Sequence, residues 1–406
     1  MSEISVFLTI AHEELRAEVR SFAETVVAPR VATMEQTKGI DRELSRLIAE
    51  QGWIGATVDD TYGGMAAGHV AKTIIIEELA RVSGAMGAMA QASQLGVAKI
   101  IHFGNEQQKR RWLPRVADGT CLPTIAVTET ASGGHVLGMR TTAERRDGGY
   151  VLNGHKVFVG NSHVGDLHGV VARTGEGSGG LSAFLVESER PGFSLAPYPE
   201  TMGLHGFSFG ELLFDDCWVP QENLLGAEGD GLSVAYSSSL LYGRANLTAV
   251  SLGIHEAIVA RTLAYAKERI LYGKPLAALP TVKQKLGEMQ SKLMVARLTA
   301  YHAVHLLDHG FRCDADLMNA KVVNVEAAMD SGRLAMEIFA AAGLIAANDL
   351  ERLVRDAFHI YAPAGTSDIQ RLRLAEVALG KDHEDWAVRL APELRVQGRQ
   401  LLDAAS

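Results

Sequence analysis

The order of residue patterns along the chain constrains its fold more than any single motif does. Residues 10–115 show helical periodicity, whereas 121–228 consist of short β-prone runs bounded by Gly, Asp, Asn and Pro. Helical periodicity returns near residue 230. The sequence therefore predicts an α+β chain with three parts: an N-terminal helical domain at 1–120, a compact antiparallel β unit at 121–230, and a C-terminal helical bundle at 231–406.

The last part contains several helical patterns separated by short breaks, most of which contain Gly or Pro. Breaks this short favour antiparallel neighbours, as in a helical bundle. We expect longer helices near 230–270, 281–310, 314–343 and 349–361, and a shorter one from 367.

Composition excludes several classes of function. The formal charge is −9 and no dense Lys/Arg stripe is present, so we predict no nucleic-acid partner. The three cysteines, Cys121, Cys217 and Cys313, form no CxxC pair, which favours a reducing compartment. The N-terminal stretch MSEISVFLTIAHEEL lacks the basic start of a signal peptide, and no run approaches about 18 apolar residues. We therefore predict a cytoplasmic protein without a membrane partner.

Short motifs narrow the chemistry further. GGMAAG at 63–68 follows no predicted strand, which argues against a dinucleotide-binding βαβ unit, and both GxxxxGK[ST] and GxSxG are absent. His302, His305 and His309 share one helix at spacings of three and four, which leaves open a metal site or three exposed histidines at a bundle end. We favour the second interpretation and predict no metal.

The stretch AVTETASGGHVLGM at 126–139 resembles the acyl-CoA dehydrogenase family, in which a Thr-Glu pair precedes a turn of small residues. Further matches follow in the family's order: GWIGATVDDTYGGM, IIIEELAR, GYVLNGHKVFVGN, PETMGLHGFSFGELLFDDCWVPQENLLG, ERILYGKPL and AGTSDIQRL. They cover nearly the whole chain. The resemblance implies the family fold: an N-terminal helical domain, a middle antiparallel β-barrel domain and a C-terminal four-helix bundle, with FAD in the cleft between them.

The resemblance also implies which residues contact FAD. The backbone around Val127 and the hydroxyl of Thr128 are expected at the polar edge of the flavin ring. Arg269, Tyr272 and Gln284 match residues that reach the diphosphate and adenine, usually across a subunit contact, and an arginine fork suits phosphate oxygens. The other expected contacts with FAD are Gly133, Gly134, Phe158, Gly160, Glu337, Ala341, Thr366 and Asp368. Arg244 and Gly365 are expected beside the substrate.

The residue that acts as base in the family is missing. The family reaction removes an α-proton and a β-hydride from an acyl thioester, and a glutamate takes the proton. Most members carry this Glu in the terminal loop before Gly-Thr, where this chain has Ala364. A minority, including isovaleryl-CoA enzymes, carry it in a bundle helix before a characteristic Arg, where this chain has Gly243 before Arg244. The replacement candidates are Asp368, Tyr242, Tyr361, His135 and His205.

Three further departures from the family pattern surround the expected flavin site. Trp-x-Thr becomes Phe158-Val159-Gly160, so a hydroxyl beside the flavin N5 is lost, and we expect space for dioxygen there. The Gly-Ser-Asp turn becomes Gly133-Gly134-His135. Gln-x-x-Gly-Gly becomes Glu337-Ile338-Phe339-Ala340-Ala341, which brings a carboxylate near the diphosphate unless Glu337 points away.

Three hypotheses stay open. The chain oxidises an acyl thioester with an unaligned base, or it performs another flavin reaction on a thioester, such as oxygenation or a base-free elimination, or it is a non-catalytic partner subunit. The thioester carrier is coenzyme A or an acyl carrier protein, and the electron acceptor is an electron-transfer flavoprotein or O2. Because Arg269 is expected to complete a neighbour's FAD site, we predict a homodimer or homotetramer.

Overall fold

The computed structural model describes residues 6–381 and 385–390. The outer ends of the first and third predicted domains, 1–5 and 391–406, and the segment 382–384 lie outside the described residues.

The N-terminal part is helical. Its helices are α1 (Ile10–Phe22), α2 (Ala28–Thr37), α3 (Arg42–Ala49), α4 (Gly68–Val82), α5 (Gly84–Phe103) and α6 (Glu106–Ala117). A π-helical turn at Ala23–Val27 joins α1 to α2. Helices α4 and α5 are apolar on nearly every side and are buried accordingly, which is typical of helices that form a protein core.

The middle part is a single mixed sheet. Its strands are β1 (Pro123–Ala126), β2 (Thr142–Arg146), β3 (Gly149–Gly160), β4 (Leu167–Arg173), β5 (Leu181–Glu187), β6 (Phe193–Leu195), β7 (Phe209–Pro220) and β8 (Leu224–Leu225). The strand order is β6-β7-β3-β2-β4-β5-β8, with β1 added beside β4. The pairs β1–β4 and β2–β4 are parallel, so the expectation of a purely antiparallel unit is corrected. Residue alternation along a strand reports which face is buried and not the direction of its neighbour.

The C-terminal part is the predicted bundle. It contains α7 (Gly231–Ser237), α8 (Arg244–Glu268), α9 (Pro280–Asp308), α10 (Asp314–Phe339), α11 (Leu350–His359), α12 (Ser367–Ala378) and the short α13 (Trp386–Arg389). A π-helical segment, Ser238–Gly243, joins α7 to α8 without a break. A small hairpin of β9 (Ile270–Leu271) and β10 (Lys274–Pro275) follows α8. Helix α8 packs against α4, α9 and α10, which ties the bundle to the N-terminal core.

One helical stretch, Gly231–Glu268, is long and apolar enough by length and composition to cross a membrane. Polar residues such as Arg244, Asn246 and His255 interrupt it, so it is not an unbroken run of about 18 apolar residues. In its most apolar window 67% of the residues are buried inside the protein, as in the central helix of a bundle.

Candidate active site

A cavity of about 1360 Å³ lies where the sheet, α5, the π-helical segment and the loop before α12 meet. The sheet contributes the end of β3 and the residues that follow β1, while the bundle contributes α7, the start of α8 and the start of α10. A cleft of this size between parts of a chain is the usual position for a cofactor and a small substrate. Of the predicted site residues, the following line it: Val127, Thr128, Gly133, Gly134, Phe158, Gly160, Gly243, Arg244, Ala364, Gly365 and Thr366.

The two family positions for the base face each other in this cavity. A Cβ atom built on Gly243 would lie 3.1 Å from the Cβ of Ala364, closer than most Cβ contacts. The two positions therefore compete for one space, which explains why a side chain at either of them reaches the same point. The π-helical segment that ends at Gly243 adds a residue to the turn and aims this helix face at the loop; π-turns are frequent at functional sites.

The loop at 360–366 is held in an unfavourable backbone conformation. Ala364 has a φ of 53° and Gly365 a φ of 87°, and the first value is costly for a residue with a Cβ. The ammonium of Lys321 on α10 donates to the Tyr361, Pro363 and Gly365 carbonyl oxygens, the second at 2.6 Å. Burial, and then Arg244, lowers the pKa of Lys321 to about 7. Sequence reasoning missed Lys321, because only the fold brings this helix residue beneath the loop.

A buried ion pair fixes the chain segment after β1. The Lys156 ammonium lies 2.7 Å from the Glu129 carboxylate and 3.0 Å from the Val127 carbonyl oxygen, to which it also donates. The same carboxylate accepts from the backbone N–H groups of Arg140 at 2.6 Å and Thr141 at 3.0 Å. Burial lowers the pKa of Lys156 to about 8. The expected flavin edge at Val127 is thus rigid before any ligand binds.

Phe158 lies at an irregularity of the sheet beside the cavity. The pairing of β3 with β7 shifts register between Lys156 and Val159, and Phe158 has a φ of 55°. Its ring is 61% exposed and stacks on Phe209 at 5.6 Å between centroids. Bulges next to active sites commonly re-aim a side chain in this way. This geometry places an aromatic ring where the family has Trp.

The structure corrects the expectation that Gly160 opens space for dioxygen. A Cβ on Gly160 would lie 2.9 Å from the Ala92 Cβ and 3.0 Å from the Phe207 Cζ. The volume that a larger residue would need is therefore already filled by neighbours. Glycine at this position is explained by packing.

Two tyrosines and an aspartate offered as replacement bases lie outside the cavity wall. Tyr242 is fully buried, and its hydroxyl is 3.0 Å from His102 Nε2. Asp368 is an exposed residue in the first turn of α12, 3.9 Å from Arg371, so its expected contact with the cofactor is also unsupported within one chain. Tyr361 is half-buried but does not line the cavity. Tyr242 and Asp368 lie on helical segments, in which residues adjacent in sequence point in different directions, so a motif does not show which of them faces the cavity.

The two candidate histidines are placed elsewhere as well. His135 is exposed and its ring covers Gly138. His205 lines an adjoining cleft that shares Glu200 and Met202 with the main cavity. Its Nδ1 lies 3.0 Å from Glu35 and its Nε2 lies 3.0 Å from the Thr201 carbonyl oxygen. None of the five replacement bases suggested by the sequence therefore lies where it could take a proton from a ligand in the main cavity.

Sequence reasoning also missed a titratable pair in the cavity wall. Arg244 is 4% exposed, its Nε has no hydrogen-bond partner, and burial lowers its pKa to about 10. Asp314, the first residue of α10, accepts from the backbone N–H groups of Trp386 at 3.1 Å and Ala387 at 3.4 Å. Burial, and then the Asp385 carboxylate, raises the pKa of Asp314 to about 6. Asp314 lies 70 residues from Arg244 in sequence, so periodicity does not show that the two charges act on each other, although they form no direct ion pair.

The residues predicted to reach FAD across a subunit contact lie on the surface of the single chain. All are exposed and none lines the cavity: Arg269, Tyr272, Gln284, Glu337 and Ala341. Glu337 forms ion pairs with Lys285 at 2.7 Å and with Arg333, and these hold its pKa below the usual value for Glu. Glu337 is thus paired with two cations and does not bring an unpaired carboxylate near the expected diphosphate.

The cavity fits FAD on two structural observations. A Cβ on Gly133 or Gly134 would meet nothing within 4 Å, so the turn leaves an open cradle beside the backbone. The Oε1 atoms of Gln91 and Gln370, both in the cavity wall, are buried without a partner. Within the described residues the Thr128 hydroxyl also makes no hydrogen bond. A polar, dinucleotide-sized ligand would satisfy such groups.

The three histidines on α9 are engaged with other groups. His302 lies 3.6 Å from Asp316, and the His305 ring contacts the Phe7 ring in a tilted arrangement with 5.3 Å between centroids. His309 Nδ1 lies 2.8 Å from the His305 carbonyl oxygen. In the part of the chain that the structure describes, no group of three or more His, Cys, Asp and Glu side chains is arranged for a metal ion.

Comparison with known proteins identifies relatives along nearly the whole chain. The sequence models of the acyl-CoA dehydrogenase N-terminal, middle and C-terminal domains match residues 9–120, 124–217 and 229–379. An acyl-CoA dehydrogenase of Bacillus subtilis (strain 168) is 36% identical over 90% of this chain and 97% of its own length. The structure of butyryl-CoA dehydrogenase from Megasphaera elsdenii has a TM-score of 0.89 at 31% identity, over 92% of this chain and 99% of that one. PigA with FAD and proline has a TM-score of 0.88 at 27% identity, over 93% of this chain and 99% of that one.

Proposed function

The chain belongs to the acyl-CoA dehydrogenase family, whose cofactor is FAD, and from this premise we propose that it is an oxidoreductase that acts on an acyl thioester without a glutamate at either family position of the base. Bound FAD supplies a two-electron acceptor beside the substrate. The protein's own part is to hold the cofactor on the rigid segment after β1, to orient the thioester between sheet and bundle, and to exclude water.

One observation supports this proposal above the others. The cavity retains the expected flavin-facing residues, yet Gly243 and Ala364 meet at its centre with no carboxylate on either. A non-catalytic subunit has no need of the buried Lys156–Glu129 pair or of the strained loop before α12, both of which cost free energy to maintain. The geometry therefore favours an active enzyme with altered proton chemistry over an inactive partner.

The test is anaerobic mixing of the FAD-loaded protein with saturated acyl thioesters of several lengths, on coenzyme A and on an acyl carrier protein. We expect no loss of the visible flavin absorbance with simple saturated acyl groups, because no positioned base removes the α-proton. Ala364→Glu should restore the loss of absorbance, and its isostere Ala364→Gln should not. If the parent chain bleaches as readily as Ala364→Glu, the altered chemistry is refuted.

A second candidate function rests on Asp314. This carboxylate lines the same cavity, interacts with Arg244 and has a pKa of about 6, which suits a general base near neutral pH. With Asp314 as base the chain would be an ordinary α,β-dehydrogenase. In that case the parent chain bleaches on mixing and Asp314→Asn abolishes the bleaching, whereas Asp316→Asn, two residues further along the same wall, does not.

The remaining properties are proposals as well. We place the protein in the cytoplasm as a homodimer or homotetramer, with an electron-transfer flavoprotein or O2 as acceptor. The exposed positions of Arg269 and Tyr272 support a shared FAD site between subunits, since neither residue serves the cavity of its own chain.

A further inference from the structure

An unpaired cation is buried at the centre of the cavity. Arg244 is 4% exposed, and its guanidinium has no ion pair or hydrogen bond to another side chain in the described part of the protein. A buried charge without a partner is costly, and such groups in proteins are normally paired, hydrogen-bonded or bound to a ligand. Arg244 lines the cavity, so a ligand bound there can reach its guanidinium.

The charged groups near Arg244 are engaged with other partners. The groups whose fields reach Arg244 are the Asp314 carboxylate and the Arg373 guanidinium, and Arg244 in turn acts on the Lys321 ammonium. Asp314 is occupied by the backbone N–H groups of Trp386 and Ala387, while Arg373 is balanced by Glu376 at 2.7 Å. Lys321 is fixed on the loop carbonyl oxygens. The Nε of Arg244, in contrast, is buried and donates to no group in the described part of the protein.

The position of this cation decides which part of a substrate it meets. Arg244 lines the same cavity as Gly243 and Ala364, the two positions from which the family delivers a carboxylate to the reacting carbon. In this chain neither position carries a carboxylate. An anion at this depth comes from the acyl group, since the phosphates of the carrier are at its opposite end.

We propose that Arg244 binds a carboxylate on the acyl group of the substrate, in the space that a glutamate occupies in other members of the family. The substrate class is thus a carboxyacyl thioester, that is, a short dicarboxylic acid with one carboxyl group bound as a thioester and the other free, rather than a simple fatty acyl thioester. The planar fork of the guanidinium suits a bidentate carboxylate. This inference rests on the proposed function, because it assumes a thioester in the cavity.

The test compares two probes of equal carbon number, succinyl-pantetheine and butyryl-pantetheine, titrated anaerobically into the FAD-loaded protein by calorimetry. We expect the succinyl probe to bind about tenfold to a hundredfold more tightly, the range for a charge-assisted hydrogen bond. Arg244→Gln should remove this preference, and Arg244→Lys should retain part of it because it keeps the charge without the fork. The preference in each variant is the ratio of its affinities for the two probes, so a general loss of binding does not count as loss of the preference.

Arg312→Gln is the matched control. Arg312 also lines the cavity but is exposed, so its loss should leave the preference unchanged. If Arg312→Gln lowers the preference as much as Arg244→Gln does, the proposal is overturned, because general attraction of the succinyl carboxylate to cations at the cavity then explains the preference. Should Arg244→Gln not fold, Ala364→Glu and Ala364→Gln give the same information: the introduced carboxylate should pair with Arg244 and abolish the preference, while the amide should preserve it.

Failure of this inference differs from failure of the proposed function. Equal affinity of the parent chain for both probes overturns the carboxyacyl assignment and leaves the thioester function intact. Absence of binding by either probe to the FAD-loaded protein overturns both.

Discussion

Individual glycines in the cavity wall have different physical reasons to be glycine. Gly160 is packed against Ala92 and Phe207, whereas Gly134 faces open space. The first is therefore fixed by the protein's own packing, and the second by whatever ligand lies against the turn. Substitution separates these two roles.

We predict that Gly160→Ala lowers the free energy of unfolding of the FAD-free protein by about 1–3 kcal/mol, because the added methyl overpacks the contact with Ala92 and Phe207. Gly134→Ala should leave that free energy within roughly 0.5 kcal/mol and should weaken FAD binding. Urea unfolding and flavin titration measure the two effects. Equal stability loss in both variants would contradict the packing account.

At the same scale, sequence reasoning located residues better than it assigned their contacts. Gly243 and Ala364 were found as the two empty positions, and the structure brings them together. Asp368 and Tyr242 were misplaced because a motif gives no side-chain direction. Arg244's lack of a partner and the raised pKa of Asp314 depend on contacts between distant segments, which periodicity does not report.

At the scale of elements, the loop before α12 depends on one side chain from α10. Lys321 supplies donors to three loop carbonyl oxygens, and Gln370 of α12 donates to those of Ala364 and Gly365. Together the two side chains maintain the positive φ of Ala364. The loop and helix should therefore act as one unit during local opening.

We predict that Lys321→Met exposes the loop amides at 360–366 to faster hydrogen exchange and lowers the free energy of unfolding by about 1–3 kcal/mol. The Tyr361 and Pro363 carbonyl oxygens lose a donor in this variant, whereas that of Gly365 keeps Gln370. Lys292→Met is the control, because Lys292 pairs with Asp330 at the protein surface and such pairs contribute about 0–1 kcal/mol. Hydrogen exchange with mass spectrometry would refute the prediction if the loop amides of Lys321→Met remained as protected as in the parent chain.

The helices of the bundle could be predicted closely and the sheet only in part. The expected helix at 281–310 is observed at Pro280–Asp308, because long periodic segments with Gly or Pro at their ends specify their own limits. The parallel pairing of β1 with β4 connects segments about 40 residues apart, and nothing local in either strand encodes it.

At the scale of the whole molecule, the hairpin after α8 presents apolar side chains to solvent. Ile270, Leu271 and Tyr272 are 55%, 40% and 84% exposed, and Arg269 precedes them. Apolar residues grouped on a surface commonly mark an interface, here one that would carry Arg269 to a second FAD site.

We predict that Arg269→Ala weakens FAD binding about tenfold or more without changing the oligomeric state, through loss of a charge-assisted contact with phosphate. Tyr272→Asp should shift the protein toward smaller species and weaken FAD binding as well. Lys267→Ala, a nearby exposed cation, should do neither. Light scattering and flavin titration provide the measurements, and unchanged FAD affinity in Arg269→Ala would exclude a shared site.

Stability in acid depends on three histidines with one pattern of contacts, of which His168 and His255 are buried and His102 is half-buried. In His102, His168 and His255 one ring nitrogen is within hydrogen-bond distance of a hydroxyl and Nδ1 has no partner, and burial lowers each pKa from 6.5 to about 3. Between these pH values the unfolded chain binds the protons and the folded chain does not, so each histidine removes stability as the pH falls. The buried Asp308 and Asp356, with pKa values raised to about 6, act in the opposite direction.

We predict that His168→Gln reduces the loss of stability with falling pH by up to about 1.4 kcal/mol per pH unit between 6.5 and 3, the equivalent of one proton. Urea unfolding of parent and variant at a series of pH values measures the difference in slope. Identical slopes would show that this imidazole is protonated in the folded state.

The π-helical segment Ser238–Gly243 gives the cavity wall a sensitivity to chain length. Deletion of one residue there would convert the turn to regular α-helix and rotate everything before it by about 100° relative to α8. Tyr236 and Ser239 would then leave the wall, while Arg244 would keep its place. A one-residue gap at this point in an evolutionary alignment would thus mark chains whose pocket has been re-lined, even where every recognisable motif is intact.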